Sequence, residues 1–133
     1  IDREKTFLNL AKEFNINDFL LVDGDFSRES GYAAAPKFIE EGLPEAILCA
    51  NDQMAFGLIR GFQKYGVKVP GDVKVVGFDN QEISLLSSPS ITTINNPFYM
   101  VGKLAAKNLI NFLNKKEIET KKLKSTLIIR ESA

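Results

Sequence analysis

The chain has 133 residues, 44% hydrophobic and 26% charged, enough for one soluble globular domain and too few for two comfortable ones. Lys plus Arg and Asp plus Glu balance at 17 each, so no global field draws it onto nucleic acid or a membrane surface. With no histidine and a single cysteine, Cys49, it lacks the commonest general base and metal ligand and cannot close an internal disulfide, so no metal or cofactor is expected.

The opening Ile1-Asp2-Arg3-Glu4-Lys5 is charged, unlike a signal peptide, and lacks an initiating Met, so a fragment of a longer chain is expected. No apolar run approaches the ~20 residues of a membrane span. Asp2 to Phe14 reads as an amphipathic helix with Phe7, Leu10 or Ala11, and Phe14 on one face. After a turn, Phe19 to Val22 reads as an apolar strand that runs into Asp23-Gly24-Asp25-Phe26. Ser27 or Ser30 can cap the next helix, which Gly42 ends near Glu41; Pro36 must bend it or mark a later first turn.

Ala46 to Cys49 is a short apolar strand leading into Asn51-Asp52 and then a helix with Met54, Leu58, Phe62 and Tyr65 on one face, closed by Gly66. The loop through Pro70-Gly71 precedes a β-branched strand, Val73 to Phe78, which ends in Asp79-Asn80. A short helix over Ile83 to Leu86, a strand over Ile91 to Ile94 and a turn at Asn95-Asn96-Pro97 follow. Phe98 to Leu113 is a long helix with Val101, Ala105, Leu109 and Phe112 on one face. Asn114 to Lys122 is a charged linker, and Ser125 to Ile129 a final strand. Alternating strands and helices predict an α/β, doubly wound parallel sheet with right-handed crossovers.

Parallel strands put their carboxyl ends on one edge of the sheet, where ligands bind among helix starts. Asp23 to Phe26, Asn51-Asp52 and Asp79-Asn80 all follow strands, so carboxylates, amides and an aromatic ring should converge there. Each is explained singly by turn or cap chemistry; together they describe a site for a small polar ligand. An enzyme is not expected, for there is no triad histidine and no Gly-x-x-x-x-Gly-Lys loop, and the carboxylates are the ordinary residues of turns.

The motifs say more. Gly24-Asp25-Phe26-Ser27 with Glu29-Ser30-Gly31-Tyr32, then Ala50-Asn51-Asp52-Gln53-Met54-Ala55-x-Gly57, then Val69-Pro70-x-Asp72-Val73-x-Val75-Val76-Gly77-Phe78-Asp79, resemble the effector-binding core of LacI/GalR-family bacterial transcription regulators. Pro89-x-Ile91-Thr92-Thr93-Ile94 and Leu127-Ile128-Ile129-Arg130-Glu131-Ser132 continue the series in order. The resemblance implies a periplasmic-binding-protein-like type I core, of which this chain is mainly the C-terminal subdomain. Residues 1–95 and 123–133 would form that subdomain, and 96–122 would belong to the N-terminal one.

By the same resemblance Arg3 hydrogen-bonds the effector, Phe26 packs on it, Asn51 and Asp79 pair its polar groups, and Asn96 adds a contact. Phe56, Ile83 and Leu86 fall at or near a homodimer interface, although ordinary core also accounts for Phe56. The implied protein is a cytoplasmic repressor that binds a small effector, a carbohydrate, between two subdomains. It would touch DNA only through a domain outside this chain. A solute-binding protein without DNA binding is the alternative, and a phosphorylated carrier protein docking near Lys107 a further variant. One physical expectation follows for Phe98 to Leu113: one of its faces should lack cover.

Overall fold

The computed structural model describes residues 3–133, so a helix start at Asp2 lies outside the described residues. The elements are α1 (Arg3–Glu13), α2 (Arg28–Glu41), β1 (Ala46–Leu48), α3 (Asp52–Lys64), β2 (Lys74–Phe78), α4 (Glu82–Leu86), β3 (Thr92–Asn95), α5 (Phe98–Leu113) and β4 (Thr126–Ile128). The sheet order is β1-β2-β3-β4. β1, β2 and β3 are parallel, with Leu48 opposite Val76 and Val76 opposite Thr92. β4 runs antiparallel to β3, Thr93 opposite Ile128, so the sheet is mixed at this edge.

Local chemistry explains most boundaries. Ser27 is extended and its hydroxyl accepts the Ser30 N–H, which starts α2, while Gly42 at φ 96° ends it; Pro36 is accommodated inside. Asn51 does the same for α3 through the Met54 N–H. The core lies between one sheet face and the α2–α3 pair: Ile47, Val75 and Ile91 meet Ala55, Leu58, Ile59 and Phe62, with Ala35 and Phe38 beyond. Each such large apolar side chain contributes ~1.5–3 kcal/mol by leaving water. Cys49 belongs to this core, and burial pushes its thiol up to about 12, so it is a structural thiol.

Two expectations are corrected. Phe19 to Val22 is not a strand: Leu20 and Val22 pack on the core edge, but among the described residues no backbone hydrogen bond joins the segment to β1, and a strand without a ladder is only extended chain. The buried face of α3 runs through Ala55, Leu58, Ile59 and Phe62, with Gly57 and Gly61 also buried. Tyr65 instead caps the helix and is exposed, because α3 is packed on two sides and its chain end is not. The expected parallel sheet is present in β1, β2 and β3, and β4 joins its edge antiparallel because the chain returns beside β3 from its far end.

α5 has no buried residue, and among the described residues no other helix or strand packs extensively along it. Its partner is the returning chain, since Asn108 exchanges two hydrogen bonds with the Glu119 backbone at 2.8 and 2.9 Å and Lys107 pairs with the Glu119 carboxylate at 2.9 Å. Val101, Leu109 and Phe112 remain exposed. The tail is held differently. Ser132 enters the fork where β2 and β3 diverge: its carbonyl accepts the Val75 N–H at 2.9 Å, its hydroxyl accepts the Thr92 N–H at 2.9 Å and donates to the Val75 carbonyl at 2.5 Å.

Candidate functional site

The residues that follow β1, β2 and β3 are joined into one chain of hydrogen bonds. Asn51 is nearly buried by its capping role, and its amide nitrogen donates to the Phe26 carbonyl at 2.9 Å. That bond fixes Phe26 at φ 67°, a left-handed conformation uncommon for a non-glycine residue, and leaves the ring 60% exposed. Next to Asn51, the Ala50 carbonyl accepts from the Arg3 guanidinium. The same guanidinium lies 4.1 Å above the Phe78 ring and reaches the Asp79 carboxylate at 3.3 Å.

Asp79 also adopts positive φ, 97°, and Asn80 follows at 51°. The Asp79 Oδ1 accepts a second bond, 2.9 Å from the Asn96 amide, whose own oxygen accepts from the Ser125 hydroxyl at 2.7 Å. The described residues that bond this carboxylate both do so at Oδ1. Phe26, Asn51, Arg3, Asp79 and Asn96 therefore converge: one exposed ring, one cation, one carboxylate and two amides. Such a set pairs hydroxyls and covers an apolar ring face, and it holds no nucleophile poised beside a base. Among the described residues no group of acidic or cysteine side chains could hold a metal ion.

On the loop before α2, the Asp25 carboxylate accepts the Ser27 N–H at 3.0 Å and the Ser27 hydroxyl, which hold its pKa down at about 2. Because the folded value lies below the ordinary 3.8, this contribution to stability is present above about pH 4 and lost as pH falls through about 2. An acid titration followed by the Ser27 amide resonance should show a midpoint near 2 that Asp25→Asn abolishes.

Two groups escaped the sequence reading. Asp52, taken there as half of a polar pair, is fully buried: Oδ1 accepts from the Thr93 hydroxyl at 2.6 Å and Oδ2 from the Gln81 N–H at 2.6 Å. Desolvation raises its pKa, opposed by those bonds. A side chain on Gly77 would put Cβ 2.2 Å from Oδ1, so this glycine makes the room for the carboxylate. Arg130, in the tail, donates to the Ser84 hydroxyl at 2.9 Å, the Ile91 carbonyl at 2.8 Å and the Asn80 side-chain oxygen at 2.8 Å. Its place in the terminal motif is visible in the sequence but its contacts are not, for its partners lie some forty residues or more upstream.

At the expected dimer face, Phe56 and Ile83 are half-buried, Phe56 against the core edge, while Leu85 and Leu86 on α4 are 63% and 69% exposed. A concavity of about 170 Å³ lies elsewhere, beside α5, lined by Met100, Lys103, Leu104, Lys107, Glu119, Lys121 and Leu123; none of the five converging residues borders it.

A family model described as a periplasmic binding protein-like domain matches residues 1–133. Over 120 residues the chain is 38% identical to the HTH-type transcriptional repressor PurR of Photobacterium profundum, covering 88% of this chain and 36% of that one. Its fold is similar to a LacI-family regulator from Enterococcus faecium solved with bound ribose, with a TM-score of 0.84 at 28% identity over 95% of this chain and 48% of that one. It is also similar to a lac repressor dimer bound to operator and the anti-inducer ONPF, with a TM-score of 0.78 at 30% identity over 95% and 46%. The chain spans about a third of the length of the curated relatives it matches, which are transcription regulators and not enzymes.

Proposed function

Because this chain belongs to the periplasmic binding protein-like domain family, in the form found in LacI-family regulators, we propose that it is the effector-sensing and dimerisation part of a bacterial transcriptional repressor. In this reading residues 1–95 and 123–133 belong to one effector-binding subdomain, and 96–122 contribute to a second. DNA is bound by a helix-turn-helix domain outside these 133 residues, in the cytoplasm, which accords with the zero net charge. Phe56, Ile83 and Leu86 contribute to a homodimer interface, supported by the exposed leucines of α4 and by the dimeric lac repressor.

The observation that carries the reading is that the Asn51 amide, which holds the Phe26 carbonyl, adjoins the run of hydrogen bonds from the Ala50 carbonyl through Arg3 and Asp79 to Asn96. A sugar suits it, since vicinal hydroxyls match the Asp79 carboxylate and the Asn51 amide, and the exposed Phe26 ring covers a pyranose or furanose face. The ribose-bound regulator supports that ligand class. The effector would bridge this half and the second subdomain, and its differential affinity for one closure state would shift operator affinity by ~1–3 kcal/mol.

The test is made on the full-length protein. A thermal-shift panel of sugars including D-ribose finds the ligand, since a compound that binds only the folded state raises its melting temperature. Asp79→Ala should then weaken that ligand by roughly ten- to a hundredfold, through loss of charge-assisted hydrogen bonds, while operator binding stays intact. Unchanged induction in this variant would overturn the assignment.

A further inference from the structure

We propose that Asp52 is a positioning residue for the effector site: with Thr93 it holds the left-handed pair Asp79-Asn80 that presents the Asp79 carboxylate to Arg3 and Asn96. This rests on the reading of Asp79 as an effector contact.

Two successive non-glycine residues at φ 97° and 51° cost free energy and persist only where their surroundings hold them. Here three consecutive backbone N–H groups are each held by a different partner. Asp79 N–H donates to the Ile94 carbonyl at 2.9 Å, Asn80 N–H to the Thr93 hydroxyl oxygen at 3.2 Å, and Gln81 N–H to the Asp52 Oδ2 at 2.6 Å. The Thr93 hydroxyl spends its proton on the Asp52 Oδ1, so it can face Asn80 only as an acceptor. The carboxylate thus fixes the turn twice, directly at Gln81 and through Thr93 at Asn80. It is fully buried and touches neither Arg3 nor Asn96, so it acts through Asp79 rather than on a ligand. Gln81 is also the residue from which α4 starts, and its side chain accepts from Gln53 at 2.8 Å; the same carboxylate therefore sets the origin of α4.

Crystal structures and melting curves of full-length Thr93→Val, Thr93→Ser and Asp52→Asn test this. Valine keeps the shape of threonine but neither bonds Asp52 nor accepts from Asn80. The valine variant should remain folded while the turn relaxes and Asp79 moves beyond hydrogen-bond reach of Asn96, now 2.9 Å away. Serine should restore the parent geometry. Asp52→Asn, the second variant, offers Gln81 or Thr93 a donor instead of an acceptor and should displace Asp79 likewise. Asp79 still bonded to Arg3 and Asn96 in both the valine and the asparagine variants would overturn the proposal and reduce Asp52 to a cap of α4. No ligand enters this readout, so its failure leaves the effector assignment standing, and failure of that assignment leaves the turn geometry testable.

Discussion

Gly57→Ala should lower stability by about 3 kcal/mol, at the upper end of what overpacking usually costs. The added Cβ would stand 1.9 Å from the Arg28 carbonyl oxygen and 2.9 Å from the Tyr32 nitrogen, both backbone atoms of α2 that no rotamer change can move. Gly31 meets α3 in the same way, its Cβ position 2.1 Å from the Met54 carbonyl oxygen. The two helices are in contact at their backbones, so a single methyl must push them apart along a core that includes Ala35, Leu58 and Phe62. Alanine favours a helix over glycine by ~1 kcal/mol, which opposes the loss but does not cancel it. Gly102→Ala on α5 is the control, because nothing lies within 4 Å of its Cβ position and the propensity gain should stand alone. Urea denaturation midpoints should therefore move in opposite directions for the same chemical change; a Gly57→Ala midpoint at or above the parent would show that α2 yields.

Arg130→Met should cost about 3 kcal/mol, because it strips a charge-assisted donor from three acceptors while keeping most of the apolar stem. The Ile91 carbonyl, the Ser84 hydroxyl and the Asn80 side chain belong to the residue that leads into β3, to α4 and to the turn after β2, and Arg130 bonds all three. Lysine should recover only part of the loss, for an ammonium on a single stem cannot span a fork of two nitrogens. Amide exchange at Ser84 and Ser87, whose N–H groups close the single turn of α4, should quicken in the methionine variant before the core amides do. Equal protection of α4 in parent and variant would show that its packing against α3 is sufficient.

What the sequence disclosed follows from the range of each interaction. α2 could be read from Ser27 to Gly42, and α3 from Asn51, because capping is a contact between residues three apart. β1, β2 and β3 followed from apolar runs bounded by polar residues. Phe19 to Val22 has the same composition and yet no ladder, since composition reports burial and not the presence of a neighbouring strand. The convergence of Asn51 and Asp79 was legible because parallel strands share an edge; Phe26 joins them through the Asn51 amide although no strand precedes it, and the convergence of Arg3 and Asn96 on the same carboxylate required the family resemblance. Asp52 and Arg130 stayed hidden, as buried partners 29 to 50 residues away leave no periodic trace.

Where the excursion through α5 leaves and rejoins the sheet, its two ends are bonded to each other. The chain departs from β3 at Asn96 and comes back into β4 through Ser125, and the two residues are bonded side chain to side chain at 2.7 Å. Departing and returning strands are thus joined side chain to side chain just beyond the end of their ladder, where Asn95 lies opposite Thr126. That amide also donates to Asp79 at 2.9 Å, so a single residue stands between the carboxylate and the root of the excursion. The strand end that offers Asp79 and the root of the α5 excursion therefore share one side chain, so replacing Asn96 alters both at once.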